Sequence, residues 1–264
     1  MTFPYKHVLF IGATAGIGRA MADRFAETGV KVTAVGRRQE RLDEFVAKHG
    51  ADKASGFAFD ISQVDKIPSF VTAVLQAHPD IDSVFLNAGT QSVINLADPK
   101  GFNFESFKKE FDLNFYSLVA FTHAFVPHFL AKENPTSFIF TGSNLSIIPG
   151  ATLPSYCSSK AALNTFTLCL RENLQNTKTK VIEVSPPPVQ TELHDYLGEE
   201  KGRAFGMPLD QFTNEAHAGL LEGKDQIIIG AIGPADVFND IVDKRRQGFE
   251  NLAAHMRAIA ANGH

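Results

Sequence analysis

Along the chain, short runs of β-branched and aromatic residues alternate with longer stretches in which apolar positions recur every three or four residues. The first rhythm is that of buried strands and the second that of amphipathic helices, so the order predicts β-α units around a parallel sheet. Strands are expected at His7 to Ile11, Val30 to Val35, Gly56 to Phe59, Ser83 to Leu86, Ser137 to Thr141, Lys180 to Val184 and Gln226 to Ile229. After the first of them, Ile17, Met21 and Phe25 mark one apolar helix face, and Gly29 stands where that helix must stop. Another helix is expected from Ser62, with Asp65 as a cap partner, and longer ones over Glu105 to Phe129 and Pro154 to Asn176. Such an alternation predicts an α/β fold, a doubly wound parallel sheet with helices on both faces and a ligand crevice beyond the carboxyl ends of its strands.

Two stretches break the rhythm. Residues 191–223 are polar and glycine-punctuated, dotted with Leu193, Leu197, Phe205, Met207 and Leu209, and too long for a plain connector. They read either as an extra helical pair on the surface or as a lid over the crevice. Residues 235–261 read as a helical tail, packed on the sheet's flank or on a partner subunit. No linker divides residues 1–264, so a single domain is expected.

Composition changes this picture little. An apolar fraction of 44% and 20% charged residues are ordinary for a globular protein, and the net charge of −4 offers no basic face for nucleic acid. The opening "MTFPYKHVLFIGATAGIG" lacks the length of a spanning helix and the layout of a secretory signal, so no membrane partner and a cytoplasmic location are expected. Cys157 and Cys169 share one predicted helix, too far apart to bond and without metal-ligand spacing. Reduced structural thiols and no metal site are the expectation.

Candidate chemistry begins where the first strand ends, in "IGATAGIGRAMA". Gly12, Gly16 and Gly18 lead straight into a helix, whose unpaired N–H groups and positive dipole end suit a pyrophosphate. The spacing differs from the common G-x-G-x-x-G, and a mere tight turn is the alternative. The second strand ends in "TAVGRRQERL", with no acid to hold a free ribose and with Arg37 and Arg38 in its place. Guanidinium groups pair with phosphate, so NADP(H) is preferred to NAD(H). Arg38 could equally start a solvated helix with Glu40 and Asp43.

Within "LPSYCSSKAALNTF", Tyr156 and Lys160 stand four residues apart on a predicted helix and therefore on one face. A cation beside the phenol, and the positive end of a helix started by Pro154, both favour phenolate, which would make Tyr156 usable as acid and base. Ser143 follows a strand end 13 residues earlier. It could equally be a turn or cap serine, as Asn114 could be an ordinary polar residue of its helix.

With these motifs in one α/β order, the chain resembles the short-chain dehydrogenases/reductases over about Lys6 to Leu193. "AFDIS", "LNAGT", "FDLNFYS", "FTGS" and "SPPPVQTEL" match that family's pattern in sequence. The proline-rich segment and helical tail are similar to the DltE-like oxidoreductases within it. The resemblance implies a Rossmann-type sheet of about seven strands and a catalytic set of Asn114, Ser143, Tyr156 and Lys160. It also implies cofactor contacts from Gly12, Thr14, Gly16, Ile17, Gly18, Arg37, Arg38, Asp60, Ile61, Asn87, Ala88, Gly89, Tyr156, Lys160, Val189 and Thr191. In that scheme Lys160 also bonds the nicotinamide ribose, Asn114 supports a proton relay, and Ser143 orients the substrate carbonyl. Long helices that pair across an axis imply a homodimer or homotetramer, although Glu105 to Phe129 could simply be core.

Three positions depart from the family pattern: Ile11 for a threonine, Leu86 for an asparagine, and Pro187 for a glycine. Pro187 stiffens the segment beside the nicotinamide and has no N–H to donate. The expected function is an NADP(H)-dependent carbonyl reductase or alcohol dehydrogenase acting on a small carbonyl or alcohol, with Leu145, Ile148, Leu153 and Phe205 making an apolar pocket. The competing readings are a non-catalytic NADPH-binding sensor or scaffold, and an epimerase of the extended branch, whose G-x-x-G-x-x-G loop is absent from the sequence. His194, a lone histidine on a polar loop, is expected to be solvated.

Overall fold

The computed structural model describes residues 3–98 and 100–262. It begins with β1 (His7–Ile11), α1 (Gly16–Glu27), β2 (Lys31–Gly36), α2 (Gln39–His49), β3 (Ala54–Ala58), α3 (Ile67–Ala77) and β4 (Ser83–Leu86). Next come α4 (Phe104–Phe111), α5 (Ser117–Leu130), β5 (Thr136–Thr141), α6 (Pro154–Leu174) and β6 (Thr179–Ser185). The chain ends with α7 (Glu199–Arg203), α8 (Leu209–Leu221), β7 (Gln226–Ile228) and α9 (Ala235–Asn262). The strands pair in parallel in the order β3-β2-β1-β4-β5-β6-β7. The order reverses direction between β1 and β4, and a doubly wound sheet opens its crevice there.

Alternate residues of each central strand feed two separate cores, as a period of two requires. Val8 and Phe10 join Met21, Phe25 and Phe212 on one face, while Leu9 and Ile11 join Phe121, Phe125 and Phe138 on the other. Both sets are buried. On the second face Phe59 stacks on Phe70 with ring centroids 4.1 Å apart. Gly29, at φ 90°, ends α1 by taking the left-handed conformation.

The helix expected from Ser62 starts later. Asp60 Oδ1 accepts the Ser62 N–H at 3.0 Å, which closes a local turn, and α3 begins only after a short 3-10 turn, with Pro68 in its first turn. The single long helix expected over 105–129 is instead α4 and α5 joined by a π-helical turn, Asp112–Tyr116, that carries Asn114. Residues 191–223 also divide. Phe212, Ala216 and Leu220 place α8 in the core against α1, so only the part before it lies over the crevice. Among the described residues no helix is long and apolar enough to cross a membrane. At the amino ends of the strands, His7, His78 and Asp80 come within metal-ligating reach of one another, a grouping not visible in the sequence. His7 Nδ1 faces Asp80 at 3.0 Å, while His7 Nε2 bonds Thr33, His78 Nε2 bonds Ser55 and Asp80 also pairs with Lys31.

Candidate active site

A cleft of about 930 Å³ runs along the carboxyl ends of β1, β2, β4, β5 and β6. Its near end is the glycine turn. Gly12 takes φ 90°, and a Cβ there would stand 2.7 Å from the Ala88 Cα. Gly18 does not line the cleft; a Cβ on it would strike the Gly12 carbonyl at 2.0 Å, so this glycine lets α1 close on the turn. No side chain caps α1 at Ala15, which leaves its first N–H groups facing the cleft. Asn87 ties the floor together, with Nδ2 donating to the Gly12 carbonyl at 3.1 Å and Oδ1 accepting from Thr141 Oγ1 at 2.9 Å.

Beyond β2, the two arginines part company. Arg37 is exposed at the cleft edge. Arg38 folds back, donating from Nε and Nη2 to Thr14 Oγ1 at 3.2 and 3.1 Å and pairing with Glu192 at 2.8 Å. Arg41 pairs with the other oxygen of Glu192 at 2.7 Å and holds the Thr14 carbonyl at 3.1 Å. Gly36 is kept small by Thr14, whose Cγ2 would lie 2.5 Å from an added Cβ. Asp60, Ile61, Asn87, Ala88 and Gly89 line the same end, together with Thr14, Gly16 and Ile17.

The far end gathers Ser143, Tyr156 and Lys160 on the cleft wall. Pro154 opens α6 and places Tyr156 and Lys160 one turn apart, so that Lys160 Nζ lies 5.8 Å from the Tyr156 ring centre. Burial pushes the Tyr156 phenol up to about 12, against a lowering by the Ser143 hydroxyl. Burial thus outweighs the lowering expected from the lysine. The reason is geometric. Lys160 Nζ donates to the Thr141 carbonyl at 2.8 Å, toward β5, and burial pulls the ammonium itself down to about 8.

Asn114 is wholly buried behind this wall and does not line it. Its Oδ1 accepts from Thr90 N–H at 2.8 Å, and its Nδ2 donates to the Thr90 carbonyl at 2.9 Å and to Ser159 Oγ at 3.1 Å. A Cβ on Gly89 would stand 3.4 Å from Asn114 Oδ1 and 3.7 Å from Lys160 Nζ, so the glycine separates the two. Thr191 packs on Gly16 and caps the turn that follows, while Val189 bridges to Met207. Pro186, Pro187 and Pro188 line the floor, and the Pro188 carbonyl accepts from Met207 N–H at 2.8 Å.

Leu145, Leu153 and Phe205 face the cleft, whereas Ile148 does not line it. Sequence reasoning missed three contributors from the segment over the cleft. Glu192 supplies the clasp to Arg38 and Arg41, Tyr196 adds an aromatic wall, and His194 is buried rather than solvated, its ring edge-on to Phe205 at 5.4 Å. Burial lowers the His194 pKa, against the pull of Asp195. No local pattern marks these residues, because their partners lie far away in the chain.

The chain belongs to the short-chain dehydrogenase family: the family model described as short chain dehydrogenase matches residues 6–202. It is a short-chain oxidoreductase on a Rossmann-type sheet. The oxidoreductase DltE of Bacillus subtilis is 33% identical over 223 residues, covering 83% of this chain and 86% of that protein. The closed form of a serine dehydrogenase complexed with NADP+ is 26% identical, with a TM-score of 0.75 over 84% of this chain and 94% of that one. A 3-ketoacyl-(acyl-carrier-protein) reductase from Brucella melitensis shares the fold, with a TM-score of 0.75 at 24% identity over 86% of this chain and 98% of that one.

Proposed function

We propose that this oxidoreductase is an NADP(H)-dependent carbonyl reductase or secondary-alcohol dehydrogenase. The observation that carries the reading is the meeting of Ser143, Tyr156 and Lys160 with the glycine turn in one cleft. The residues fit a dinucleotide: a backbone cradle that side chains would fill, uncapped N–H groups at α1, and an exposed Arg37 where β2 ends. The similar serine dehydrogenase is complexed with NADP+ and the Brucella melitensis reductase with NADH, so the choice of the phosphorylated form rests on Arg37. When bound, the nicotinamide supplies or accepts the hydride.

This chain's own residues handle the proton and the geometry. Ser143 Oγ holds the carbonyl oxygen by a hydrogen bond, and the Tyr156 hydroxyl gives that oxygen its proton as negative charge develops. A phenol held near 12 is fully protonated at neutral pH, which suits the direction of reduction. Lys160 lies one turn away, its charge compensating the phenolate left behind. Asn114, whose Nδ2 has both donors engaged, holds Thr90 and the floor in place and supports the relay that returns a proton to Tyr156. Residues 191–207 close the cleft as a lid, and Val93, Leu145, Leu153, Leu197, Tyr196 and Phe205 favour an apolar or aromatic ketone. Phe104, Tyr116 and Leu130, exposed along α4, the π turn and α5, suit a homodimer or homotetramer in the cytoplasm.

The test is direct. Purified protein, NADPH and a panel of aliphatic, aromatic and diketone substrates are followed by nicotinamide absorbance. Turnover of an apolar ketone is expected; NADPH binding without turnover of any carbonyl or alcohol would leave the protein a sensor.

A further inference from the structure

Glu183 is a buried charge that the proposed chemistry leaves unused. It lies in β6, paired with Phe140 of β5 and wholly removed from solvent. Its carboxylate reaches under the end of β5, where a Cβ on Gly142 would stand 2.2 Å from Oε1. An isolated carboxylate in such a place is strongly disfavoured, so its partners decide its state.

Those partners are donors. Asn164 Nδ2 at 2.7 Å and Thr167 Oγ1 at 3.3 Å reach Oε2, and Ser185 Oγ at 3.3 Å reaches Oε1. The amide of Asn164 cannot turn the other way, because Arg245 of α9 donates to its Oδ1 and a guanidinium has no acceptor to offer. Burial pushes the Glu183 pKa up, while the three donors and the Arg171 charge pull back toward the carboxylate.

Two cations face it, Arg171 and Lys160. Arg171 donates through Nε and Nη2 to the Val181 and Asp225 carbonyls at 2.9 and 2.7 Å and pairs with the Asp225 carboxylate at 3.2 Å, which leaves its Nη1 buried without a partner. Lys160, one turn before Asn164 on α6, sits on the Thr141 carbonyl, the residue before Gly142. Lys160 and Glu183 therefore meet the same two-residue stretch, Thr141 and Gly142, where β5 ends. The Glu183 charge pulls the Lys160 ammonium back up against burial.

We propose that Glu183 is a positioning residue that keeps Lys160 charged and seated on Thr141, with Asn164 and Arg245 fixing the carboxylate for that task. The inference rests on the role given to Lys160 above.

The experiment follows the Lys160 side chain by carbon–nitrogen NMR through a pH titration of the cofactor-free protein, in parent, Glu183→Gln, Glu183→Asp and Asn164→Ala forms. A parent midpoint near about 8 is expected to fall by about one pH unit or more in Glu183→Gln, to be largely restored in Glu183→Asp, and to fall in Asn164→Ala. With an active parent, the alkaline limb of kcat should move to lower pH by the same amount, since the ammonium is lost sooner. An unmoved Lys160 midpoint in folded Glu183→Gln overturns the proposal, and should that variant not fold, an unmoved midpoint in Asn164→Ala does so. The titration needs no turnover, so an inactive parent would overturn the reductase reading and leave this result to stand alone.

Discussion

Arg38 and Glu192, 154 residues apart in sequence, pair at 2.8 Å across the mouth of the cleft. The pair links the end of β2 to the segment that covers the site, and Arg41 doubles it. Both sides are a third or more exposed, so the clasp contributes at most about 1 kcal/mol to the fold. Glu192→Gln should therefore leave thermal stability nearly unchanged while freeing two guanidinium groups near the proposed phosphate seat. Tighter NADPH binding is expected, by several-fold at low salt and by less at high salt. Fluorescence titration at two ionic strengths checks this; weaker binding would mean that Glu192 supports the seat rather than competing for it.

Tyr156→Phe removes one hydroxyl from a buried site that is otherwise kept in shape. Turnover should drop by roughly 10² to 10⁴, with NADPH affinity and melting temperature close to the parent's. A variant that still reduces its ketone at near the parent rate would place the proton donor elsewhere.

Cofactor preference should follow Arg37. An exposed guanidinium meeting the 2′-phosphate adds one or more charge-assisted hydrogen bonds, each about 1.5 to 3 kcal/mol, or tenfold and more in affinity. Arg37→Ala should lower NADPH affinity accordingly and leave NADH affinity as it was. Adding a carboxylate at Gly36 is a poor route to NADH, because the new Cβ would press on Thr14 at 2.5 Å. Equal affinities of the parent for the two cofactors would remove Arg37 from the site.

Glu110, on α4, is buried beside Ser92, and burial lifts its pKa from 4.5 to about 6, against the lowering by Ser92. The folded state thus holds its proton to higher pH than the unfolded chain does. Stability from this group is full below about pH 4.5 and is lost as pH rises through 6. Glu110→Gln should match the parent in acid and exceed it by about 2 kcal/mol at pH 8, in urea unfolding at the two pH values. The difference between the variants isolates Glu110 from His7, whose lowered pKa acts in the opposite sense.

What the sequence by itself determined is the frame and the motifs. Every strand lies within two residues of its hydrophobic run, because the central strands are buried on both faces and run nearly continuously apolar, so that their limits are written locally. The glycine turn and the Tyr156/Lys160 pair were legible for a like reason, since each depends on a spacing within one turn or one helix, whereas Asn87 to Gly89 and the role of Ser143 came from the family resemblance. The start of α3 was misplaced because Asp60 and Pro68 outweigh the Ser62 cap, and the π turn at Asn114 escaped notice because it leaves the apolar pattern nearly unbroken. Tertiary structure alone decided which groups share a charge. Glu192 finds Arg38, Glu183 comes to lie by Thr141 and Gly142, His194 is buried against Phe205, and Tyr156 is lifted instead of lowered. Burial and pairing set these states, and both depend on segments that meet only when the sheet has closed.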